Sequence, residues 1–321
     1  MVTGAGGFIG SHLVEALVRR DAQVKAFVHY NALGSHGWLD ESPLKGKVEF
    51  IAGDVCDRNS VEQAMQKVDT VFHLAALIDI PYSYRTAESY VRTNVGGTLN
   101  ILETARRLKP KRLVFTSTSE VYGSARYVPI DEGHPLQAQS PYSASKIAAD
   151  KLVEAFHRSF DLPTVTARPF NTFGPRQSIR AVIPTIVIQC LKGNKIYLGN
   201  QHPMRDFNYV SDIVEGFLLA AVAPKAIGRT VNIGSGETIS VAKLARLIAR
   251  IMKKRISIRS DSKRVRFPKS EVECLKADNA LARDLIGWKS RYSLERGLRI
   301  TIGWMRKNLE RHSFNAYTFQ S

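Results

Sequence analysis

The chain has 321 residues, 44% of them hydrophobic and 23% charged, the balance of a globular protein large enough for two core regions. No run of about 18 apolar residues and no basic, apolar, small-residue leader occurs, so neither a membrane span nor an exported chain is expected, and the three cysteines are too scattered for a zinc site or disulfide framework; a reducing cytoplasm is the expected compartment. The formal net charge of +17 is read as a solvated basic surface, much of it in KKRISIRSDSKRVRFPK (253–269), because no nucleic-acid-binding motif accompanies it.

In chain order, TGAGGFIGSH comes first, with glycines at 4, 7 and 10 between a stub strand and the amphipathic pattern SHLVEALVRR (11–20). Only Met1, Val2 and Thr3 precede the first glycine, so the first strand is expected to be very short or to have its natural start upstream. Strand-like runs follow at 24–30, 47–54, 70–76, 112–118 and 164–170, alternating with helical patterns such as VGGTLNILETARRL (95–108). This alternation predicts an α/β fold, a Rossmann-type doubly wound parallel sheet over 1–170. After about residue 170 prolines and glycines loosen the pattern, which predicts a smaller C-terminal substrate lobe over 171–321, with about 205–233 returning to the first domain. The last residues, RHSFNAYTFQS, show no periodicity and read as a loose tail.

Glycines between strand and helix allow a tight turn and let backbone N–H groups approach a pyrophosphate at the helix N-terminus, so a dinucleotide site is expected there. At the end of the second strand stand His29, Tyr30 and Asn31, with no carboxylate to favour a free ribose hydroxyl. His29 is either a phosphate ligand or a surface histidine, and NAD and NADP both stay open. Tyr142 and Lys146 are four apart, hence on one helix face, where the ammonium is expected to lower the phenol's pKa toward neutrality. No metal site is expected.

GxxGxxG, together with GDV (53–55), HLAA (73–76), TNVGGTLN (93–100) and YSASK (142–146), resembles the extended short-chain dehydrogenase/reductase family, the NAD-dependent epimerases and dehydratases, over nearly the whole chain. The resemblance implies cofactor contacts from Gly4, Gly7, Phe8, Ile9, Gly10, His29, Asp54, Val55, Leu74, Ala75, Ala76 and Asn94. It also implies catalysis by Thr118, Tyr142 and Lys146, and a homodimer. TSTSEVYG (116–123) adds Glu120, a carboxylate just past a buried strand. Epimerases of this family do not need it; a 4,6-dehydratase does, as the base for C5 of a 4-ketosugar. Thr118-Ser119-Glu120 looks like the GDP-mannose 4,6-dehydratase triplet, and Ser119 leaves the acid for the departing hydroxyl open. HLAALIDIPYSY, RPFNTFGPRQSIRAVIPT and the neighbouring motifs look closest to N-acetylglucosamine-nucleotide 4,6-dehydratases of legionaminic-acid pathways. This resemblance implies a nucleotide-sugar substrate held by Ser83, Asn171, Arg205 and Arg266, the last chosen over Arg264. A nucleotide-glucuronate decarboxylase also carries STSEVYG and is the rival, its carboxylate to be met by Arg85 or Arg176.

Overall fold

The computed structural model describes residues 1–265 and 267–308. Seven parallel strands form the central sheet: β1 (Val2–Thr3), β2 (Val24–His29), β3 (Val48–Gly53), β4 (Thr70–His73), β5 (Arg112–Thr116), β6 (Thr164–Pro169) and β7 (Thr230–Ile233), in spatial order β3-β2-β1-β4-β5-β6-β7. Side chains alternate across this sheet, and both faces are apolar. Leu113 and Phe115 face one core with Val71, while Val114 and Phe72 face the other with Val2, Ala26, Val165 and Val231. Strands buried on both faces need a helix layer on each. The second core is closed by α1 (Phe8–Val18) and the first by α2 (Arg58–Met65), α3 (Gly97–Leu108) and α4 (Pro141–Phe160), while α5 (Val210–Val222) joins α1.

β1 is as short as the sequence implies, yet it is central. Val2 and Thr3 pair with Ala26 and Phe27 on one side and with Phe72 and His73 on the other. Met1 extends the pairing: its carbonyl accepts from Phe72 N at 2.9 Å, and its amino group donates to Thr70 O at 2.8 Å. Strand order reverses between β1 and β4, so their carboxyl ends diverge and leave the crevice where such sheets bind ligands.

The expected strand ends overrun the observed ones, most at 70–76. Leu74 and Ala75 leave the ladder because both backbone N–H groups donate to Thr3 Oγ1, each at 3.1 Å. Beyond β6 the chain builds three small sheets among the described residues, pairing 171–173 with 207–209, 195–198 with 257–260, and 204–205 with both 239–240 and 274–275. No described helix is long and apolar enough to cross a membrane.

Asp206 fastens this lobe. Fully buried, its carboxylate accepts from Asn208 Nδ2 (3.0 Å), Ser235 Oγ (2.6 Å) and Ser235 N (3.2 Å), and from Gly236 N (2.8 Å) and Ala277 N (3.3 Å). Three separate segments therefore converge on one side chain. Asp206→Ala strands these buried donors and is expected to cost about 3 kcal/mol of unfolding free energy, read by urea denaturation. A loss below about 1 kcal/mol would show that the lobe does not depend on it.

Candidate active site

The glycine turn is closed by backbone meeting backbone. Gly4 has φ +66°, and a Cβ there would lie 2.9 Å from Ala75 N; a Cβ on Gly10 would lie 2.2 Å from Gly4 O. Gly7 occupies the N-cap of α1 without a side-chain hydrogen bond, so among the described residues no capping side chain takes up the first amides of the helix, at Phe8 and Ile9. Positive helix dipole and bare amides together fit a pyrophosphate. Beside them lie Leu74, Ala75 and Ala76 at the end of β4. Val55 packs on Gly97 of α3, and its carbonyl accepts from Asn100 Nδ2 at 2.9 Å, while Asp54 Oδ1 turns the chain by accepting Cys56 N. His29 is exposed at the end of β2. The nearest carboxylate of that loop, Asp40, is folded back onto Ser35 Oγ (2.7 Å) and His36 N (3.0 Å).

Two residues beside the glycine turn and the end of β4 are engaged within the protein. Asn94 sits in a π-helical stretch, Val91–Gly96, and is buried. Both its amide hydrogens and its Oδ1 are used within the protein: Nδ2 donates to Leu77 O (2.9 Å) and Ser145 Oγ (2.9 Å), and Oδ1 accepts Leu77 N (2.8 Å). It is a clamp between the β4 loop and α4. His73 was legible only as part of a motif, yet its neighbours fix its proton. Thr3 Oγ1 already accepts two amides and so donates to His73 Nδ1 (2.8 Å); Thr98 Oγ1 donates to Asn94 O (2.6 Å) and so accepts from His73 Nε2 (3.1 Å). Burial, reinforced by Lys146, pushes the imidazole down to about 3.

The catalytic candidates meet where β5 ends and α4 begins. Ser140 and Ser143 form a reciprocal cap and Pro141 fills the first helical position, so α4 starts sharply and fixes Tyr142 in its first turn. Lys146 follows one turn later on the same face, and both are buried. Thr118 Oγ1 accepts Glu120 N at 3.2 Å, starting a single turn at Ser119–Tyr122, and shares a hydrogen bond with Tyr142. Ser119 is buried; Glu120 is half-buried. Among the described residues, no hydrogen bond or ion pair engages the Glu120 carboxylate. It is neither a cap nor a salt-bridge partner.

The expected lowering of the phenol is not what this arrangement gives. Burial raises the Tyr142 pKa well above its ordinary value, the Thr118 hydrogen bond opposes this, and the Glu120 charge adds to it. Lys146 is turned elsewhere, donating to Thr116 O at 2.7 Å with its ammonium 4.4 Å from the Phe115 ring centroid, and burial brings it down to about 8. Desolvation disfavours the charged form of both groups.

The remaining candidates are spread around this centre. Ser83 is buried and donates to Ile80 O within its own turn (2.7 Å). Asn171 opens the 171–173 strand, and its Oδ1 is buried without a hydrogen-bond partner. Arg205 is buried against Glu271 at 3.2 Å, whose other oxygen accepts from Asn200 Nδ2, so any phosphate there would compete with a carboxylate. Arg266 lies outside the described residues; beside it, Phe267 meets the Tyr84 ring edge-on and the Lys269 carbonyl accepts from Gln139 Nε2, which brings this segment against the 80–84 turn. Arg176 is held at Glu15 Oε1 (2.7 Å) and Ser11 Oγ (3.2 Å), locking its loop to α1. No group of three described His, Cys, Asp or Glu residues could hold a metal.

A family model described as GDP-mannose 4,6 dehydratase matches residues 1–301. A dTDP-glucose 4,6-dehydratase of Actinoplanes sp. is 32% identical over 96% of the chain and 98% of its own length. UDP-glucuronic acid decarboxylase 1 of Xenopus tropicalis is 32% identical over 99% of the chain and 74% of its own. The solved structure of DesIV, a dTDP-glucose 4,6-dehydratase from Streptomyces venezuelae with NAD bound, is 28% identical and superposes with a TM-score of 0.87 over 97% of both chains.

His73 gives the fold a measurable acid sensitivity. The unfolded chain takes its proton below about pH 6.5 and the folded chain does not until about pH 3, so the stability it contributes is complete above 6.5 and is lost as pH falls between them. Urea denaturation from pH 7 to 4 is expected to show a shallower loss of stability in His73→Gln than in the parent. Parallel curves would mean the imidazole charges in the fold.

Proposed function

The chain belongs to the GDP-mannose 4,6-dehydratase family, whose members include nucleotide-sugar dehydratases and epimerases, and within it we propose that this protein is an NAD-dependent nucleotide-sugar 4,6-dehydratase. The substrate class we favour is UDP- or GDP-N-acetylglucosamine, from the likeness of the 73–84, 116–146 and 168–185 segments to dehydratases of that class. One observation carries the choice of reaction: the Glu120 carboxylate stands half-buried near the Tyr142–Thr118 pair with no hydrogen bond or ion pair among the described residues. A carboxylate with no structural bond to keep is suited to take a proton from carbon.

NAD, the cofactor, supplies when bound a hydride acceptor and, in its oxidised form, a positive charge. Thr118 orients the C4 hydroxyl and Tyr142 receives its proton. Glu120 removes the C5 proton, which the new 4-ketone acidifies, and the C6 oxygen leaves as water; the hydride that NAD would hold from C4 would return to C6 and a solvent-exchanged proton to C5, so that a 4-keto-6-deoxy sugar nucleotide results. The phenol reaches a usable range only when cationic charge outweighs burial and Glu120, which asks Lys146 to exchange Thr116 O for the ribose side of the pocket. Asn171, with its unsatisfied Oδ1, is a contact for the substrate, and Arg205 for its diphosphate after sharing with Glu271. Decarboxylation would need a cation for the glucuronate carboxylate; Arg176 is committed to Glu15 and Ser11, which leaves that part to Arg85.

The test is turnover of UDP- and GDP-N-acetylglucosamine, dTDP-glucose and UDP-glucuronate in deuterated water. One of the hexoses is expected to give a 4-keto-6-deoxy product with deuterium at C5, and Glu120→Gln to slow that turnover about 100-fold or more. Release of carbon dioxide from UDP-glucuronate, or a simple C4 epimer, would overturn the reading.

A further inference from the structure

Tyr142, Lys146 and Asp150 recur at successive turns on one face of α4, and all three are buried, with 7%, 4% and 4% exposure. Only the first two belong to the reaction described above. Asp150 is gripped from behind by Arg168 of β6, whose Nε and Nη2 both donate to a single oxygen, Oδ2, at 3.0 and 2.7 Å. The other oxygen, Oδ1, is buried and has no hydrogen-bond partner. A buried carboxylate that leaves one oxygen unbonded is unusual unless a charge compensates it. Arg168 is itself anchored: its Nη1 donates to Tyr122 OH (2.9 Å), which donates to Asn232 Oδ1 (2.7 Å), whose amide reaches Ile130 O (3.0 Å).

We propose that Asp150, fixed by Arg168, is the buried counter-charge of Lys146, and that it sets the basic limit of the working pH through Lys146. The inference rests on the reading of Lys146 as a working residue of the site. The surroundings of Lys146 leave few other sources of charge. From β5 come the Phe115 ring and the Thr116 carbonyl, neither of them charged. From β4 comes His73, which burial keeps neutral. From its own helix come Tyr142, neutral by burial, and Asp150, and from the turn after β5 comes Glu120, whose charge acts on Tyr142. Among these, Asp150 alone raises Lys146 against the burial that lowers it to about 8. Arg168 keeps Asp150 aimed through the two hydrogen bonds to Oδ2. It makes Asp150 a positioning residue with an electrostatic role, touching neither substrate nor cofactor.

The sign follows. Lys146 works as an ammonium, so activity is present below its titration and lost as pH rises through it. Removing Asp150 moves that loss to lower pH by about one unit or more, the lower end of what an opposite charge one helical turn away supplies. Two readouts separate this inference from the functional reading. The holoenzyme is labelled with [13Cε]lysine, the Lys146 resonance is assigned with Lys146→Arg, and its titration is followed in Asp150→Asn, Asp150→Glu and the neutral swap Asp150→Asn/Arg168→Gln, which replaces the ion pair by amides. Both Asn variants are expected to titrate at least about one pH unit below the parent, with Asp150→Glu close to it, and the basic limb of kcat/KM to move by the same amount. An unmoved Lys146 resonance in the double variant overturns the proposal, whatever becomes of the single one. A resonance that moves while the basic limb stays put overturns its link to working pH. Full turnover in Lys146→Met would instead overturn the assignment of the site, with the titration result unaffected.

Discussion

Two ionisable side chains one helical turn apart, Tyr142 and Lys146, are packed out of water against the end of β5, and the rest of the site is arranged around the electrostatic cost of putting them there. Burial favours the neutral form of each: it raises the phenol and lowers the amine. An isolated pair of this kind would be inert near neutrality. The neighbouring groups divide into those that offset the burial and those that hold the geometry while charge changes. Asp150 with Arg168 belongs to the first set, as does the carbonyl of Thr116. Thr118 belongs to both, and Asn94 and the neutral His73 to the second.

The fold explains why these groups can be assembled at all. Glycines at 4 and 10 let β1, α1 and the end of β4 approach at backbone distance, and the strand-order reversal beside β1 opens the crevice at that point. A hydrogen-bonded path then runs from the glycine strand to the catalytic helix, through Thr3, His73, Thr98, Asn94 and Ser145, the last donating to Tyr142 O at 2.7 Å. Movement of the cofactor wall and of α4 is thereby restrained by the same set of bonds. On the far side, Asp206 draws three segments of the C-terminal lobe together, and Arg176 ties its loop to α1.

Much of the architecture could be read from periodicity, since strands buried on both faces and amphipathic helices leave different patterns. The strand runs from 24 to 170 were placed within a residue or so at their amino ends; the failures were at carboxyl ends, as at Leu74 and Ala75, where a threonine far away in sequence captures the amides, and at β7, which was read only as part of a segment returning to the first domain. The candidate cluster could be picked out because Tyr142 and Lys146 carry their own spacing and Glu120 stands out after an apolar run. Partnerships were not. Nothing in the sequence distinguishes Asn94 as a clamp from Asn94 as a ligand, or tells that Arg176 belongs to Glu15 and Arg205 to Glu271, because each pairing joins residues distant in the chain. The direction of the phenol's shift was likewise hidden: helix spacing places Lys146 near Tyr142, but only the three-dimensional surroundings show that burial dominates and that the ammonium points to Thr116.

What matters most is whether the buried phenol is brought into range by cationic charge in the pocket rather than by Lys146 where it stands. Ultraviolet difference titration of Tyr142, taken as parent minus Tyr142→Phe with and without saturating oxidised NAD, measures this directly. The account predicts a midpoint at least about two pH units lower with the cofactor bound. The same midpoint in both conditions, or one already near neutrality without it, would contradict it.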